Sequence, residues 1–158
     1  MALALRDVDE VIGDYTGRSR VVLEYSRLMK TMVDAAKQPG FTVDSWAPVA
    51  ALVNVAEFER VGNFKEVMSW PEYAAFLTAW ASTSEWECSF RRITEAGGVV
   101  LLELEERSRV GDHTSVVNSA TVYDFDEAGK ITHLSVYLQM ALPDPEMLGS
   151  YEGIGISG

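Results

Sequence analysis

The chain is short of several things, and each shortage closes a class of explanation. Its one cysteine, Cys88, cannot form an intramolecular disulfide, so a reducing compartment is expected. Its 2 histidines, His113 and His133, sit on different elements with no second ligand at helical or strand spacing, a poor basis for a metal site. Lys and Arg number 13 against 24 Asp and Glu, a formal net charge of −11. The densest basic point is Arg91-Arg92, inside an apolar-alternating segment, and phosphate contacts need clustered cations. No apolar run reaches membrane-spanning length. The opening MALALRDVDEV lacks the basic region and long apolar stretch of a signal peptide. The expectation is a cytoplasmic protein with no cofactor or metal and with neither nucleic acid nor membrane as partner.

What is present is enough apolar material for one core: 47% of 158 residues. A single domain over 1–158 is expected, its core about 18–140, with 141–158 an irregular Gly- and Pro-rich tail. The most organised stretch runs from Glu85 to Met140. Four segments there mix Val, Ile, Tyr, Phe and Thr with polar residues at alternate positions, the pattern of half-buried strands. The turns between them, Ala96-Gly97-Gly98, Gly111-Asp112-His113 and Asp126-Glu127-Ala128-Gly129, are too short for a parallel crossover. They therefore imply an antiparallel meander.

Upstream, Val21, Val22, Tyr25, Leu28, Met29, Met32, Val33 and Ala36 form one helical stripe between Arg18 and Gln38, stopped by Pro39-Gly40. A short helix is expected over Arg6 to Ile12, and another opening at Asp44 or Ser45 and carrying Trp46, Val49 and Leu52. Val53 to Val61 reads as a strand. Ser69-Trp70-Pro71-Glu72 has the form of a capping box, with Ser69 as N-cap and Glu72 reaching back to it. The helix it opens carries Tyr73, Phe76, Leu77 and Trp80. The predicted class is α+β: a cone-shaped, strongly curved antiparallel sheet wrapped around N-terminal helices in the order α-α-β-α-β-β-β-β, with a pocket at the open end.

That order, with Gly129-Lys130-Ile131 opening the last strand and Tyr137-Leu138-Gln139 near its end, resembles the nuclear transport factor two-like superfamily. SnoaL-like polyketide cyclases, ketosteroid isomerases and limonene epoxide hydrolases share that fold. The resemblance covers roughly residues 18–140 and implies the fold; the fold alone does not imply an activity. Carried over residue by residue, it returns mostly departures. Thr121 stands near the place of the isomerase oxyanion aspartate, and Arg60 near that of the isomerase base. Val136 stands where the epoxide hydrolase has an acid aspartate, and Arg109 where its Arg-x-Asp element has another. Tyr25 is the match, lying in the region of the isomerase oxyanion tyrosine.

Strand phase decides which polar groups can reach a pocket. Val100, Leu102, Leu104, Glu106 and Ser108 share the more apolar face of their strand, so they are assigned inward, with Glu106 the charged member. A carboxylate at the mouth of an apolar cone loses solvation, which would suit it to acid/base work; the alternative is a solvated residue beyond the rim. On the preceding strand Trp86, Cys88, Phe90, Arg92 and Thr94 are assigned inward. Arg92 could bind a substrate oxygen, or it could be a structural ion pair. Ser119, Thr121, Tyr123 and Phe125 turn inward on the next strand, and Leu134, Val136 and Leu138 on the last. His133 then falls on the outer face.

Glu106 is the candidate base, with Tyr25, Tyr123 and Arg92 as candidate donors to a developing oxyanion. Arg60, Trp70, Tyr73, Trp86, Phe90 and Leu104 join Thr121 and the last-strand residues as candidate substrate contacts. Two functional classes stay open. One is a cofactor-independent isomerase, cyclase or lyase acting on a small apolar cyclic or aromatic molecule. The other is a non-catalytic ligand binder or interaction module. A homodimer through the outer sheet face, around Val116, Ala120, Val122 and Tyr137, fits either.

Overall fold

A computed structural model describes residues 4–141. The helices are α1 (Val8–Val11), α2 (Gly17–Ala35), α3 (Ala47–Ala50) and α4 (Trp70–Ala81), with 3-10 turns at Ile12–Asp14 and Val43–Trp46. The strands are β1 (Glu59–Val61), β2 (Val67–Ser69), β3 (Ser84–Ala96), β4 (Val99–Val110), β5 (His113–Phe125) and β6 (Ile131–Gln139). The expected tail lies outside the described residues, apart from Ala141.

The long helix forms where its stripe predicts. Val22, Leu23, Tyr25, Met29 and Val33 are buried, while Val21, Leu28 and Met32 pack at the flanks. The capping box is also present: Ser69 Oγ accepts from the Glu72 amide at 3.5 Å, and Glu72 Oε2 accepts from the Ser69 amide at 2.8 Å. The box satisfies two of the four amide positions left open at the start of α4, those of Ser69 and Glu72, and Pro71 in the first turn has no N–H to satisfy. The helix expected from Asp44 is instead the 3-10 turn followed by the one-turn α3. Its Trp46 is fully buried and donates from Nε1 to Thr78 Oγ1 of α4 at 2.9 Å.

The meander β3–β6 is antiparallel throughout, and the sheet has the order β2-β1-β6-β5-β4-β3. Several expectations need correction. The sheet is mixed rather than antiparallel, because β1 pairs with β6 in parallel. The short-connection argument binds only neighbours in sequence; α4 and four strands separate β1 from β6, ample chain for a crossover. The strand read over Val53 to Val61 is reduced to Glu59–Val61. Val53 makes one bridge to Ile131, and the Asn54 side chain then turns the chain by accepting from the Glu57 amide. Met68 and its neighbours form a further strand, β2, that the sequence reading lacks. The sheet is moderately curled and not closed, so the strongly curved cone becomes a shallower trough under α2 and α4.

One irregularity positions the site. Phe90 pairs with Leu104, but Arg92 pairs with Glu103, so Arg91 is an extra residue on β3. A bulge of this kind exchanges the two faces of the strand beyond it. Trp86, Cys88 and Phe90 face the helices, as assigned, whereas Arg92 and Thr94 turn to the outer face. Arg6 makes a backbone pair with Phe90 beside the bulge, N to O at 3.0 and 2.7 Å, and so covers part of the edge strand.

Candidate active site

Between the sheet and the helices α2 and α4 lie two connected chambers. The inner one, about 120 Å³, is walled by Tyr25, Ser26, Leu104, Thr121, Tyr123 and Leu134. The outer one, about 300 Å³, opens past Phe76, Leu77, Trp80, Ser108, Val117 and Leu138. Met29, Arg60, Tyr73, Trp86, Glu106 and Val136 line both. A larger depression of about 700 Å³ lies between the end of α2 and the ends of β3–β5. Its charged lining is already engaged, as in Arg109 with Glu85 at 2.5 Å and Lys30 with Asp34 at 2.9 Å. The chambers under α4, by contrast, bring a carboxylate, a guanidinium and three phenols into a space whose other walls are mostly apolar.

Glu106 projects inward from β4, half-buried. Trp86 is its diagonal neighbour on β3, because Cys88 pairs with Glu106 and Trp86 with Ser108. The Trp86 indole Nε1 donates to Glu106 Oε1 at 2.9 Å. No side chain among the described residues donates to Oε2. The carboxylate is therefore held at one oxygen and open at the other.

Tyr25 stands across from it on α2. Its ring meets Tyr123 edge-on, centroids 5.9 Å apart and planes at 72°. Its hydroxyl is buried and meets no partner in good hydrogen-bond geometry, with the Tyr73 phenol the neighbour close enough to act on it. Burial, reinforced by the neighbouring Tyr73 and Tyr123 phenols, holds the Tyr25 hydroxyl well above the ordinary tyrosine range. Tyr123 is raised as well, chiefly by burial and then by Tyr73 and Glu106, with the Ser26 hydroxyl acting in the opposite direction. Both phenols stay neutral and able to donate at any physiological pH. Cys88, on the same face, is pushed up to about 12, first by burial and then by Glu106, which makes it a poor nucleophile.

Arg60 reaches in from β1, with its guanidinium 4.9 Å from the Tyr73 ring centroid. Trp70 does not line either chamber. It packs edge-on against Phe58 at 5.5 Å, and Phe58 in turn stacks on Tyr73 at 6.1 Å, so Trp70 backs the pocket wall without facing it. Phe90 is likewise buried in the core, near Tyr15 at 6.2 Å, rather than in the pocket. Arg92 is placed outside by the bulge, its side chain 56% exposed and paired with Glu103. It cannot reach a ligand bound beside Glu106. His133, on the outer face as expected, pairs with Glu59 at 3.3 Å and with Ser135 Oγ at 2.9 Å.

Several lining residues were absent from the sequence reading of the site. Met29 follows Tyr25 by one helical turn, and Phe76, Leu77 and Trp80 follow Tyr73 at helical spacing; that periodicity was a usable signal. Ser26 and Val117 carry no such mark. Among the described residues, no three His, Cys, Asp or Glu side chains gather as a metal site, and no helix is long and apolar enough to cross a membrane.

Comparison with solved structures places this architecture. The chain has the NTF2-like fold, the one shared by SnoaL-like and ketosteroid isomerase-like proteins. It is similar to an NTF2-like protein of unknown function from Cytophaga hutchinsonii, with TM-score 0.55 and 17% identity over 85% of this chain and 96% of that one. An LEH-like epoxide hydrolase from M. tuberculosis superposes with TM-score 0.53 and 17% identity, over 71% of this chain and 84% of the hydrolase. A Catenulispora acidiphila protein with a ketosteroid isomerase-like fold, in complex with trimethylamine, gives TM-score 0.51 and 15% identity over 69% and 83%. No protein-family profile and no curated protein matches the sequence. Identities this low establish the fold alone.

Proposed function

We propose that this protein is a cofactor-independent enzyme of the isomerase, cyclase or lyase type, moving a proton on a small apolar cyclic or aromatic molecule. The observation that supports this reading most is the pairing of opposites in one cavity. Glu106 is fixed by the Trp86 indole with one oxygen open, and the buried Tyr25 hydroxyl has no partner of its own. A substrate carbonyl beside Tyr25 would satisfy that hydroxyl. Glu106 Oε2 then takes the proton from the carbon next to the carbonyl, the electron pair moves into the C–O unit, and the Tyr25 and Tyr123 phenols donate to the oxygen as charge develops. Return of the proton from Glu106 to a different carbon completes an isomerisation; loss of a leaving group instead gives a lyase.

The apolar walls favour an apolar ring. Epoxide-hydrolase-like and isomerase-like proteins on the same fold are compatible with this reading, though of the catalytic positions the resemblance implies only Tyr25 is matched here.

The test is a thermal-shift screen of wild type and Glu106→Gln against aromatic, steroid-like, terpenoid and polyketide-like ketones and phenols. The expected result is one class that raises the melting temperature of both proteins and is converted by wild type alone. A class that binds both and is converted by neither supports the second reading, a ligand-binding protein. The homodimer expected through the outer face belongs to the same proposal: Val116 and Tyr137 are 55% and 60% exposed there. Light scattering of wild type and Tyr137→Glu decides it, with a monomeric wild type counting against the dimer.

A further inference from the structure

Among the described residues, Arg60 is the one cation lining either chamber. Only 15% of its side chain is exposed, yet it is poorly partnered. A guanidinium offers five N–H donors. Here Nη1 reaches Glu66 Oε1 at 3.4 Å, the long end of a hydrogen bond, while Nε is buried with no acceptor. Nothing among the described residues accepts from Nη2. Glu66 is committed elsewhere, since its Oε2 accepts from the Phe64 amide at 2.9 Å and backbone hydrogen bonds are the first cause holding its carboxyl below the usual range.

The turn is built around this arrangement. A Cβ on Gly62 would stand 1.7 Å from Glu66 Oε1 and 2.7 Å from Arg60 Nη1, so only glycine lets Glu66 fold over the strand end to touch Arg60 from one side. The opposite edge, formed by Nε and Nη2, is the edge that takes a carboxylate side-on through two parallel bonds. The Tyr73 ring beneath fixes the plane of the fork. A cation so placed carries a desolvation cost that a neutral ligand leaves standing and an anionic one removes.

We infer that Arg60 anchors a carboxylate of the ligand on its Nε–Nη2 edge, so that the cavity selects a small apolar ring compound carrying an acid group. The orientation this gives, acid on Arg60 and reacting carbon toward Glu106, rests on the catalytic reading above. The binding preference does not.

Isothermal titration of wild type with 2-naphthoate and with its methyl ester, which keeps the apolar body and removes the charge, tests the inference. The acid is expected to bind about ten- to a hundredfold more tightly than the ester, the range of a charge-assisted bidentate contact. Arg60→Met abolishes the difference, and Arg60→Lys keeps only part of it, because an ammonium cannot form the parallel pair. Glu66→Gln removes the competing carboxylate and is expected to tighten acid binding without changing ester binding, a readout that stands even where Arg60→Met fails to fold. The preference should persist in Glu106→Gln. Persistence there, with no turnover by wild type of any ketone or phenol in the screen above, would sink the catalytic reading and leave the anchor intact. Equal affinity of wild type for acid and ester, no binding of the acid, or a preference that survives in Arg60→Met overturns it.

Discussion

Replacing Tyr25 with phenylalanine separates stability from function at a single oxygen atom. The Tyr25 hydroxyl is buried and makes no hydrogen bond. A buried polar group left unpaired costs about 1–3 kcal/mol in desolvation. Phenylalanine keeps the ring and its edge-on contact with Tyr123 at 5.9 Å, and the volume it vacates adjoins an existing chamber instead of creating a new void. Tyr25→Phe is therefore expected to stabilise the protein by about 1 kcal/mol, the low end of that range, which raises Tm by roughly 2–4 °C in a chain of this size. The same change removes a donor to the developing oxyanion, and any turnover should fall by about a hundredfold or more. Urea unfolding followed by tryptophan fluorescence, beside a turnover assay, reads both effects. A Tyr25→Phe protein destabilised by about 1 kcal/mol or more would refute the reasoning. It would mean that the hydroxyl is bonded in solution, the neighbouring Tyr73 phenol being the available partner, and is not held free for a ligand.

The other predictions concern single contacts. Trp86→Phe removes the donor to Glu106 Oε1 while keeping an aromatic wall, so kcat should fall about tenfold through loss of positioning with KM little changed; an unchanged kcat would show that Glu106 needs no such support. Ser69→Ala dismantles the capping box of α4 and should cost about 1 kcal/mol in urea unfolding. Arg92→Ala touches only the outer face and should leave both ligand binding and turnover unchanged. Stability should also decline in alkali. Tyr25 and Tyr123 are raised in the fold, so below about pH 10 both folded and unfolded chains keep these protons and pH has no leverage. Above it the unfolded chain releases protons that the fold retains, and stability falls by about 1.4 kcal/mol per pH unit for each phenol; a flat profile above pH 10 would contradict the assigned burial.

The sequence made the inward face of β4 legible because Val100, Leu102 and Leu104 carry the alternation that Glu106 continues, and all three are buried. The stripe of α2 and the capping box at Ser69 were legible for the same reason, since local chemistry and tertiary packing agree there. Arg92 was misplaced because a bulge has no composition of its own. A signal did exist in the conflict of two registers. Counting back from the Gly97-Gly98 turn pairs Ala96 with Val99 and so sets Arg92 against Glu103, as observed. Yet continuing that register would turn Trp86 and Phe90 outward. Both conditions hold together only if β3 carries one extra residue between Phe90 and Arg92. Strand β2 escaped, and β1 was read too long, because three residues are too few for an alternation to show, and the parallel pairing of β1 with β6 depends on chain far away in sequence. The hydrogen bond from Trp86 to Glu106 follows from the bulge, so it was hidden with it. The open edge of Arg60 depends on how Glu66 folds over Gly62, a matter of turn geometry with no periodic trace.

Proton abstraction by Glu106 is the central step, and deuterium exchange measures it without requiring the natural reaction. A cyclic aryl ketone that raises the melting temperature of the protein is incubated in D2O, and loss of its α-proton signal is followed by NMR. Wild type is expected to accelerate exchange well above buffer, with Glu106→Gln binding the ketone but exchanging at least about a hundredfold more slowly. Equal exchange rates with wild type, Glu106→Gln and buffer, while both proteins bind the ketone, would contradict the assignment of Glu106 as the base.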